Sequence, residues 1–207
     1  MKAFLNSVEK PESIGLKLAY YFNKKQFGKV IAPLRVLGPR MPPAFGMYFA
    51  KIERLDKKLK TPLATNLLIR HQVARLNNCL FCLDQQRWGL VKWSIDPAKF
   101  DALDEFSTSP LFTDAERAAL EYATELTKKK KVNHETFARL AKHFSEEGVC
   151  EIVWFVATEH LLNIANLGLN IPADELYELI RTKHQIALGG KPTGFNAEKA
   201  TSCHEQN

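Results

Sequence analysis

The apolar residues of this chain recur every three or four positions over most of its length, which is the spacing of amphipathic helices. No alternating run of β-branched residues bounded by turn signals indicates a strand. The sequence therefore predicts an all-α protein, a bundle of about eight helices. The predicted helical segments are 13–27, 45–59, 62–76, 79–93, 96–106, 114–129, 134–144, 145–170 and 173–184. Residues 30–47 are broken by prolines and glycines and predict a loop with one short helical turn.

Capping residues mark several of the predicted helix boundaries. Thr61 is expected to cap the helix whose first turn begins at Pro62. Thr113 and Glu116 have the spacing of a capping box. Ser145 is expected to cap the longest helix. That helix is apolar on most sides, which predicts that it is buried centrally or in a subunit interface.

The length of 207 residues suits one domain. Residues 1–188 are predicted to form a single all-α domain, with an N-terminal helical extension over residues 1–42. The polar tail over residues 189–207 is expected to be extended or disordered. No stretch reaches the roughly 18 consecutive apolar residues of a membrane span. The N-terminus has no long apolar run and no small-residue cleavage site, so no signal peptide is expected. The expected location is the cytoplasm, with no membrane partner.

Charge is the one unusual feature of the composition. The formal net charge is +6, a sign that favours nucleic acid as a partner. The basic residues are spread along the chain, however, and the run 128–131 falls at a predicted helix C-terminus, where cations are favourable. Without a recognition motif or interleaved aromatic residues, no nucleic-acid partner is expected.

The four cysteines do not predict a disulfide framework in a reducing compartment. Cys150 lies in an apolar helix and is expected to be a small core residue. Cys203 lies in the polar tail. Cys79 and Cys82 form a Cys-x-x-Cys motif in the first turn of a predicted helix, after a break near residues 77–78. A helix N-terminus stabilises a thiolate, so this motif is where the sequence suggests chemistry.

The Cys-x-x-Cys motif has three interpretations. The first is a redox pair in which one thiol attacks and the other resolves. The second is half of a zinc site, to which His71 could contribute, although no second ligand pair follows. The third is two small residues on a packed helix, because free cysteines are often simply buried. We expect no metal and no other cofactor.

Three stretches of the sequence together resemble a known family, the carboxymuconolactone decarboxylase family and more narrowly its alkylhydroperoxidase D-like branch. Residues 67–90 resemble its core motif, residues 112–127 its acidic-capped alanine-rich helix, and residues 148–171 its closing helix. The resemblance covers roughly residues 43–171. It implies an all-α fold that assembles into trimers or hexamers. For members with Cys-x-x-Cys it also implies thiol-dependent reduction of peroxides.

The resemblance also implies roles for single residues. Cys82 matches the cysteine that attacks peroxide, and Cys79 matches its disulfide partner. The family has a proton-relay glutamate twelve residues before the first cysteine, where this chain has Leu67. It has a histidine four residues after the second cysteine, where this chain has Gln86. Gln86 can form hydrogen bonds but cannot accept a proton at neutral pH.

Two histidines are candidates for the missing proton carrier. His71 lies one helical turn after Leu67 and has a suitable unperturbed pKa; the alternative is a partly exposed histidine on a helix surface. His160 follows Glu159 on the long apolar helix, where polar groups must be hydrogen-bonded or line a cavity. For this pair the alternative is a satisfied structural contact or a subunit contact.

Charged residues near the motif affect two further predictions. Asp84 would raise the pKa of a nearby thiol and Arg87 would lower it. Arg70, Arg75 and Arg87 could instead hold the carboxylate of a lactone, as a decarboxylase-like lyase requires, and the cysteines would then be incidental.

The favoured function is thus a cytoplasmic, homo-oligomeric thiol peroxidase that reduces a hydroperoxide and is re-reduced by a dithiol protein. Its activity is expected to be weakened by the altered relay. The lyase and a non-catalytic oligomeric scaffold are the alternatives, and buried, unreactive thiols in a site without a pocket would favour the scaffold.

Overall fold

The computed structural model describes residues 2–41, 49 and 51–187, and all its regular structure over these residues is helical. The helices are α1 (Ile14–Phe27), α2 (Ala32–Val36), α3 (Leu63–Leu76), α4 (Leu80–Lys92), α5 (Ala98–Asp101), a 3₁₀ turn (Leu103–Glu105), α6 (Asp114–Lys129), α7 (His134–Ala141), α8 (Glu146–Leu167) and α9 (Leu176–Ala187). Residues 51–56 are also helical. The predicted all-α class is confirmed. The predictions for residues 45–48, for the tail over residues 189–207 and for Cys203 lie outside the described residues.

Local capping sets most helix ends where the sequence places them. Thr113 and Glu116 form the complete capping box of α6, and the Ser145 side chain accepts the Gly148 N–H at the start of α8. The prediction for Thr61 is wrong. Pro62 occupies the N-cap position of α3 without a side-chain cap, because Thr61 donates its hydroxyl to the Glu151 carboxylate instead.

The longest run of buried residues among the described helices lies in α3, whose residues 65–74 are all buried. It packs against α4, α6 and α8. Its buried set includes Asn66, Arg70, His71 and Gln72, so the helix has no simple apolar face. A polar helix at the centre of a bundle needs internal partners for these side chains, and those partners form the site described below.

The long helix α8 was predicted to be buried centrally or in a subunit interface, and it is only half enclosed. Phe155 and Val156 lie in the core, whereas Ile164 is 67% exposed. Val153, Leu161 and Leu167 are exposed as well. Among the described helices, α8 alone is long and apolar enough to cross a membrane by length and composition, a test that core helices also pass. An oligomer contact along its exposed face stays a prediction.

A separate apolar cluster forms where both ends of the described chain meet α4. Phe27 of α1 and Val36 of α2 pack there with Trp88 of α4 and Leu176 of α9. The buried Asp174 joins the two ends, because its carboxylate accepts the Ala32 N–H at the start of α2 and pairs with Lys29 and Arg35. In this cluster α1, α2 and α9 therefore cover α4.

Cys150 corrects one sequence-based prediction. It was expected to be a small core residue, yet it is exposed. It lies near the start of α8, one helical turn before the exposed Val153 and on the same side of the helix. The apolar composition of α8 concealed this, because the helix carries apolar residues on its exposed side as well.

Candidate active site

A tight turn between α3 and α4 positions the two cysteines. Asn78 adopts a left-handed conformation (φ 55°), which asparagine tolerates better than most residues. The Cys79 N–H then bonds to the Ala74 carbonyl at 3.0 Å, closing a Schellman-type helix end. Cys79 is the N-cap residue of α4, and Cys82 follows in its first turn. The helix break predicted near residues 77–78 is present at this turn.

Cys79 and Cys82 are joined by a disulfide, with their Cα atoms 5.3 Å apart. The two residues are 1% and 3% exposed, respectively. They lie in the apolar cluster that α1, α2 and α9 cover. The sulfurs are therefore close enough to form a redox pair, but they are shielded from solvent by neighbouring elements.

Two amides from α8 converge on the sulfur of Cys82. Asn163 Nδ2 donates to Cys82 Sγ at 3.1 Å, and Asn166 Nδ2 donates at 3.4 Å. Both asparagines are buried. Hydrogen-bond donors favour the charged form of an acceptor, so after reduction they would stabilise a thiolate at Cys82. The first turn of α4 adds its own favourable dipole.

The Asn163 side chain also connects Cys82 to other polar groups. The same Nδ2 donates to Glu159 Oε1 at 2.7 Å. Asn163 Oδ1 accepts from Asn77 Nδ2 at 2.8 Å, and Asn77 Nδ2 also contacts His160 Nδ1 at 3.2 Å. His160 Nε2 reaches the Thr127 hydroxyl at 3.3 Å. The sulfur is therefore part of a polar network that runs through the interior between α3, α6 and α8.

The Glu159 carboxyl is enclosed against α3. Its Oε2 lies 3.5 Å from Arg70 Nη1. Arg70 makes closer contacts elsewhere, to Asp56 at 2.7 Å and to Asn66 at 2.7 Å. Burial raises the pKa of Glu159, and the nearby Arg70 guanidinium opposes this effect.

His71 is buried, so the alternative of a partly exposed histidine on a helix surface is wrong. Burial lowers the pKa of His71 to about 3, with Arg87 and Arg75 adding to the effect. Its side chain interacts with Gln86, and its ring packs edge-on to Phe100. His71 is therefore neutral at physiological pH. Its Nδ1 and Gln86 Oε1 are both buried without a hydrogen-bond partner among the described residues.

The structure brings Cys79, Cys82 and the α8 amides together and places the other predicted site residues around them. Gln86 lies one turn beyond Cys82 on α4, and its polar contact is with His71. His160 reaches the network through Asn77, and burial with the nearby Lys130 lowers its pKa. Over the described residues, neither histidine makes a hydrogen bond to a cysteine sulfur. Their catalytic roles stay predictions.

The charged neighbours considered from the sequence have other partners. The Asp84 carboxylate accepts the backbone N–H groups of Asp174, Leu176 and Tyr177 at the start of α9. Arg87 pairs with Asp101.

The arginines proposed for a lactone carboxylate are likewise paired within the chain. Arg70 pairs with Asp56, and Arg75 pairs with Asp104. These contacts give no support to a lyase.

No cluster of three or more His, Cys, Asp or Glu side chains that could hold a metal ion occurs among the described residues.

Sequence reasoning did not assign Asn163, Asn166 and Glu159 to the cysteine site. Their spacing contained a signal, because positions 159, 163 and 166 lie on one face of a helix. Three polar side chains on one face of an otherwise apolar helix must meet polar partners in the interior. The sequence alone could not show that Cys82, some 80 residues earlier, is among those partners.

Comparisons with known proteins identify similar chains. No family model matches this sequence. The uncharacterized protein YnjA of Escherichia coli (strain K12) is 28% identical over 159 residues, which span 75% of this chain and 86% of YnjA. The uncharacterized protein YdfG of Bacillus subtilis (strain 168) is 25% identical over 107 residues, which span 51% of this chain and 73% of YdfG.

Solved structures share the fold. The debrominase Bmp8, as a variant in complex with 2,3,4-tribromopyrrole, superimposes with a TM-score of 0.74 at 19% identity, covering 88% of this chain and 98% of Bmp8. An alkylhydroperoxidase AhpD core protein from Ralstonia eutropha JMP134, described as peroxidase-related, gives a TM-score of 0.72 at 20% identity, covering 86% of this chain and 96% of its own. At these identities the likeness shows the fold, and it confirms the helical architecture that the resemblance implied.

Proposed function

We propose that this chain, which has the AhpD-like helical fold of peroxidase-related proteins, is a thiol–disulfide oxidoreductase that reduces hydroperoxides through Cys79 and Cys82. The observation that carries the proposal is the disulfide between them, with two amide donors directed at Cys82 Sγ. A packed structural pair of cysteines does not require such donors. They stabilise a group that reacts as a thiolate.

Cys82 is the attacking residue in this scheme. Its thiolate attacks the terminal oxygen of the hydroperoxide, the O–O bond breaks, and the released alkoxide takes up a proton. Cys82 is left as a sulfenic acid, which the Cys79 thiol attacks to form the disulfide and water. A dithiol protein then reduces the disulfide by thiol exchange. The sum is one hydroperoxide and one dithiol converted into an alcohol, water and a disulfide.

Rapid mixing of the reduced protein with tert-butyl hydroperoxide tests this function. Trp88 packs in the same apolar cluster as both cysteines, so its fluorescence should report their oxidation. We expect the wild type to oxidise much faster than Cys82→Ser. Cys79→Ser should stop at a Cys82 sulfenic acid that dimedone traps. Cys150→Ser is the matched control, because Cys150 is a free, exposed cysteine; it should behave like the wild type.

Equal and slow oxidation of the wild type and Cys82→Ser would refute the peroxidase function. That outcome would favour the non-catalytic scaffold, with which the burial of both sulfurs is also compatible.

A halogenated aromatic compound is the second substrate class to test. The favouring observation is that the chain superimposes on nearly the whole debrominase Bmp8. Two thiols can replace a carbon–bromine bond by carbon–hydrogen, releasing hydrogen bromide as the pair becomes a disulfide. Bromide release from tribromopyrrole by the reduced protein, compared with Cys82→Ser, decides whether this class is accepted.

A further inference from the structure

A single amide group links the redox sulfur to a buried carboxyl group. Asn163 Nδ2 has two hydrogens, and it donates to Cys82 Sγ at 3.1 Å and to Glu159 Oε1 at 2.7 Å. Its oxygen is occupied by Asn77, which fixes the orientation of the amide. Two groups that can each carry a negative charge thus lie on either side of one donor.

The surroundings of Glu159 contain little that would hold two negative charges. Among the described residues, Arg70 on α3 is the cation that faces it, at 3.5 Å, and Arg70 lies closer to Asp56 at 2.7 Å. From α4 the facing ionisable group is Cys82, reached through Asn163. His160 on α8 bonds towards Asn77 and Thr127. Because like charges close together in a buried site disfavour each other's ionisation, a thiolate at Cys82 and a carboxylate at Glu159 compete.

From this arrangement we infer that Glu159 stores the proton of the redox cycle: its carboxyl is ionised while the disulfide is closed and protonated while Cys82 is a thiolate. This rests on the proposed redox function of the cysteine pair. It gives Glu159 a role in setting the charge of the site, through Asn163, without contact with the substrate. Burial raises the pKa of Glu159 and so favours its neutral form, whereas the Arg70 guanidinium and the Asn163 amide lower this pKa and so favour the ionised form.

The steps balance in protons and electrons. Reduction of the disulfide beside ionised Glu159 takes two electrons from a dithiol and two protons, and it yields the Cys79 thiol, the Cys82 thiolate and neutral Glu159. Attack of the thiolate on a hydroperoxide then yields the Cys82 sulfenic acid, while Glu159 gives up its proton and the departing alkoxide becomes an alcohol. Condensation with the Cys79 thiol releases water and restores the starting state. The site carries one negative charge throughout.

A purely structural role for Glu159, as the partner of Arg70, makes a different prediction, and Glu151 provides the comparison. Glu151 is a second buried glutamate on α8, two turns earlier, whose carboxylate is bound by Thr61 and the Lys60 N–H. It makes no hydrogen bond to the cysteine network among the described residues. A glutamate that is only structural should behave like Glu151 in any measurement of the cysteine redox couple.

The pH dependence of the midpoint potential of the Cys79–Cys82 couple tests the inference. Near neutral pH, reduction of the wild-type disulfide by two electrons should be accompanied by the uptake of two protons. Glu159→Gln should take up only one, so that the slope of potential against pH falls to half of the wild-type slope. Glu151→Gln should keep the wild-type slope. An unchanged slope in Glu159→Gln would overturn the inference, because Cys82 would then hold the second proton itself as a thiol.

Infrared difference spectroscopy of the wild type covers the case in which Glu159→Gln does not fold. Reduction of the disulfide should produce the C=O stretch of a protonated carboxylic acid and remove a carboxylate band. If no protonated carboxyl appears on reduction, the inference is wrong.

Neither measurement uses peroxide. A protein that shows the redox-linked proton but does not react with hydroperoxides would refute the peroxidase function alone. A peroxide-reactive protein without the proton would refute this inference alone.

Discussion

His71 shows how burial decides what a single residue can do. From the sequence it was the first candidate for a general base, because an ordinary histidine changes its charge near neutral pH. In the fold it is enclosed by Phe100 and Gln86, and burial lowers its pKa to about 3. With so low a pKa the ring is a neutral imidazole at neutral pH, and its Nδ1 has no hydrogen-bond partner among the described residues.

The lowered pKa of His71 predicts a pH-dependent stability. Unfolding returns its pKa to about 6.5, so between about pH 6.5 and 3 the unfolded state binds more protons than the native state. The free energy of unfolding should therefore be fully retained above pH 6.5 and fall as the pH is lowered, by about 1.4 kcal/mol per pH unit from this group. His71→Gln should flatten this dependence in urea unfolding measured across the window.

The exposed His143 provides the control for this experiment. His143→Gln should follow the wild-type curve. If His71→Gln and the wild type lose stability in parallel from pH 6.5 downward, His71 is not held neutral by the fold.

The N-terminus of α9 is capped by a residue of another helix. Three backbone N–H groups at its beginning bond to the Asp84 carboxylate of α4 at 2.9 to 3.0 Å. This contact satisfies donors that a helix N-terminus leaves free and places negative charge at the favourable end of the dipole. Since Leu176 of α9 packs in the cysteine cluster, the capping also helps to keep the disulfide covered.

Asp84→Ala should therefore loosen α9 specifically. We expect a loss of about 2 kcal/mol in the free energy of unfolding, since charge-assisted hydrogen bonds contribute more than neutral ones. Hydrogen exchange over Leu176–Ala187 should accelerate more than exchange over α3. Asp114→Ala is the comparison, because Asp114 is an exposed acidic residue in the first turn of α6 with one 3.7 Å ion pair. Equal exchange in both variants would show that Asp84 does not hold α9.

How well the sequence predicts an element depends on how far apart in sequence the residues that contact each other lie. The capping box at Thr113 and Glu116 is a local contact, so the sequence predicts α6 from its first to its last residue. The Cys79–Cys82 pair is local too. The central position of α3 depends on partners such as Glu159 and Thr124, which lie 50 to 90 residues away. The same distance in sequence separates Cys82 from its amide donors, which the family resemblance did not reveal as partners.

For the molecule as a whole, the polar interior and the covering elements have separate tasks. The bundle of α3, α6 and α8 holds the network that surrounds Cys82, while α1, α2 and α9 exclude solvent from the sulfurs. A buried disulfide that reacts with a partner protein must become accessible during the cycle. Segments that are held by few buried contacts open most easily. Helix α1 is one such segment, because it contacts α4 through the buried Phe27 at its C-terminal end.

The Phe27 ring is the main contact of α1 with the site, lying 4.5 Å from the Trp88 ring between centroids. Phe27→Ala should cost about 3 kcal/mol, as truncation of a buried aromatic residue does. It should also speed reduction of the disulfide by dithiothreitol, about tenfold for each 1.4 kcal/mol by which opening of α1 becomes easier. Phe22→Ala on the same helix removes a ring that is 61% exposed, so it should alter neither quantity. If Phe27→Ala is destabilised while its disulfide is reduced at the wild-type rate, access to the cysteines does not pass beneath α1, and the opening lies beneath α2 or α9.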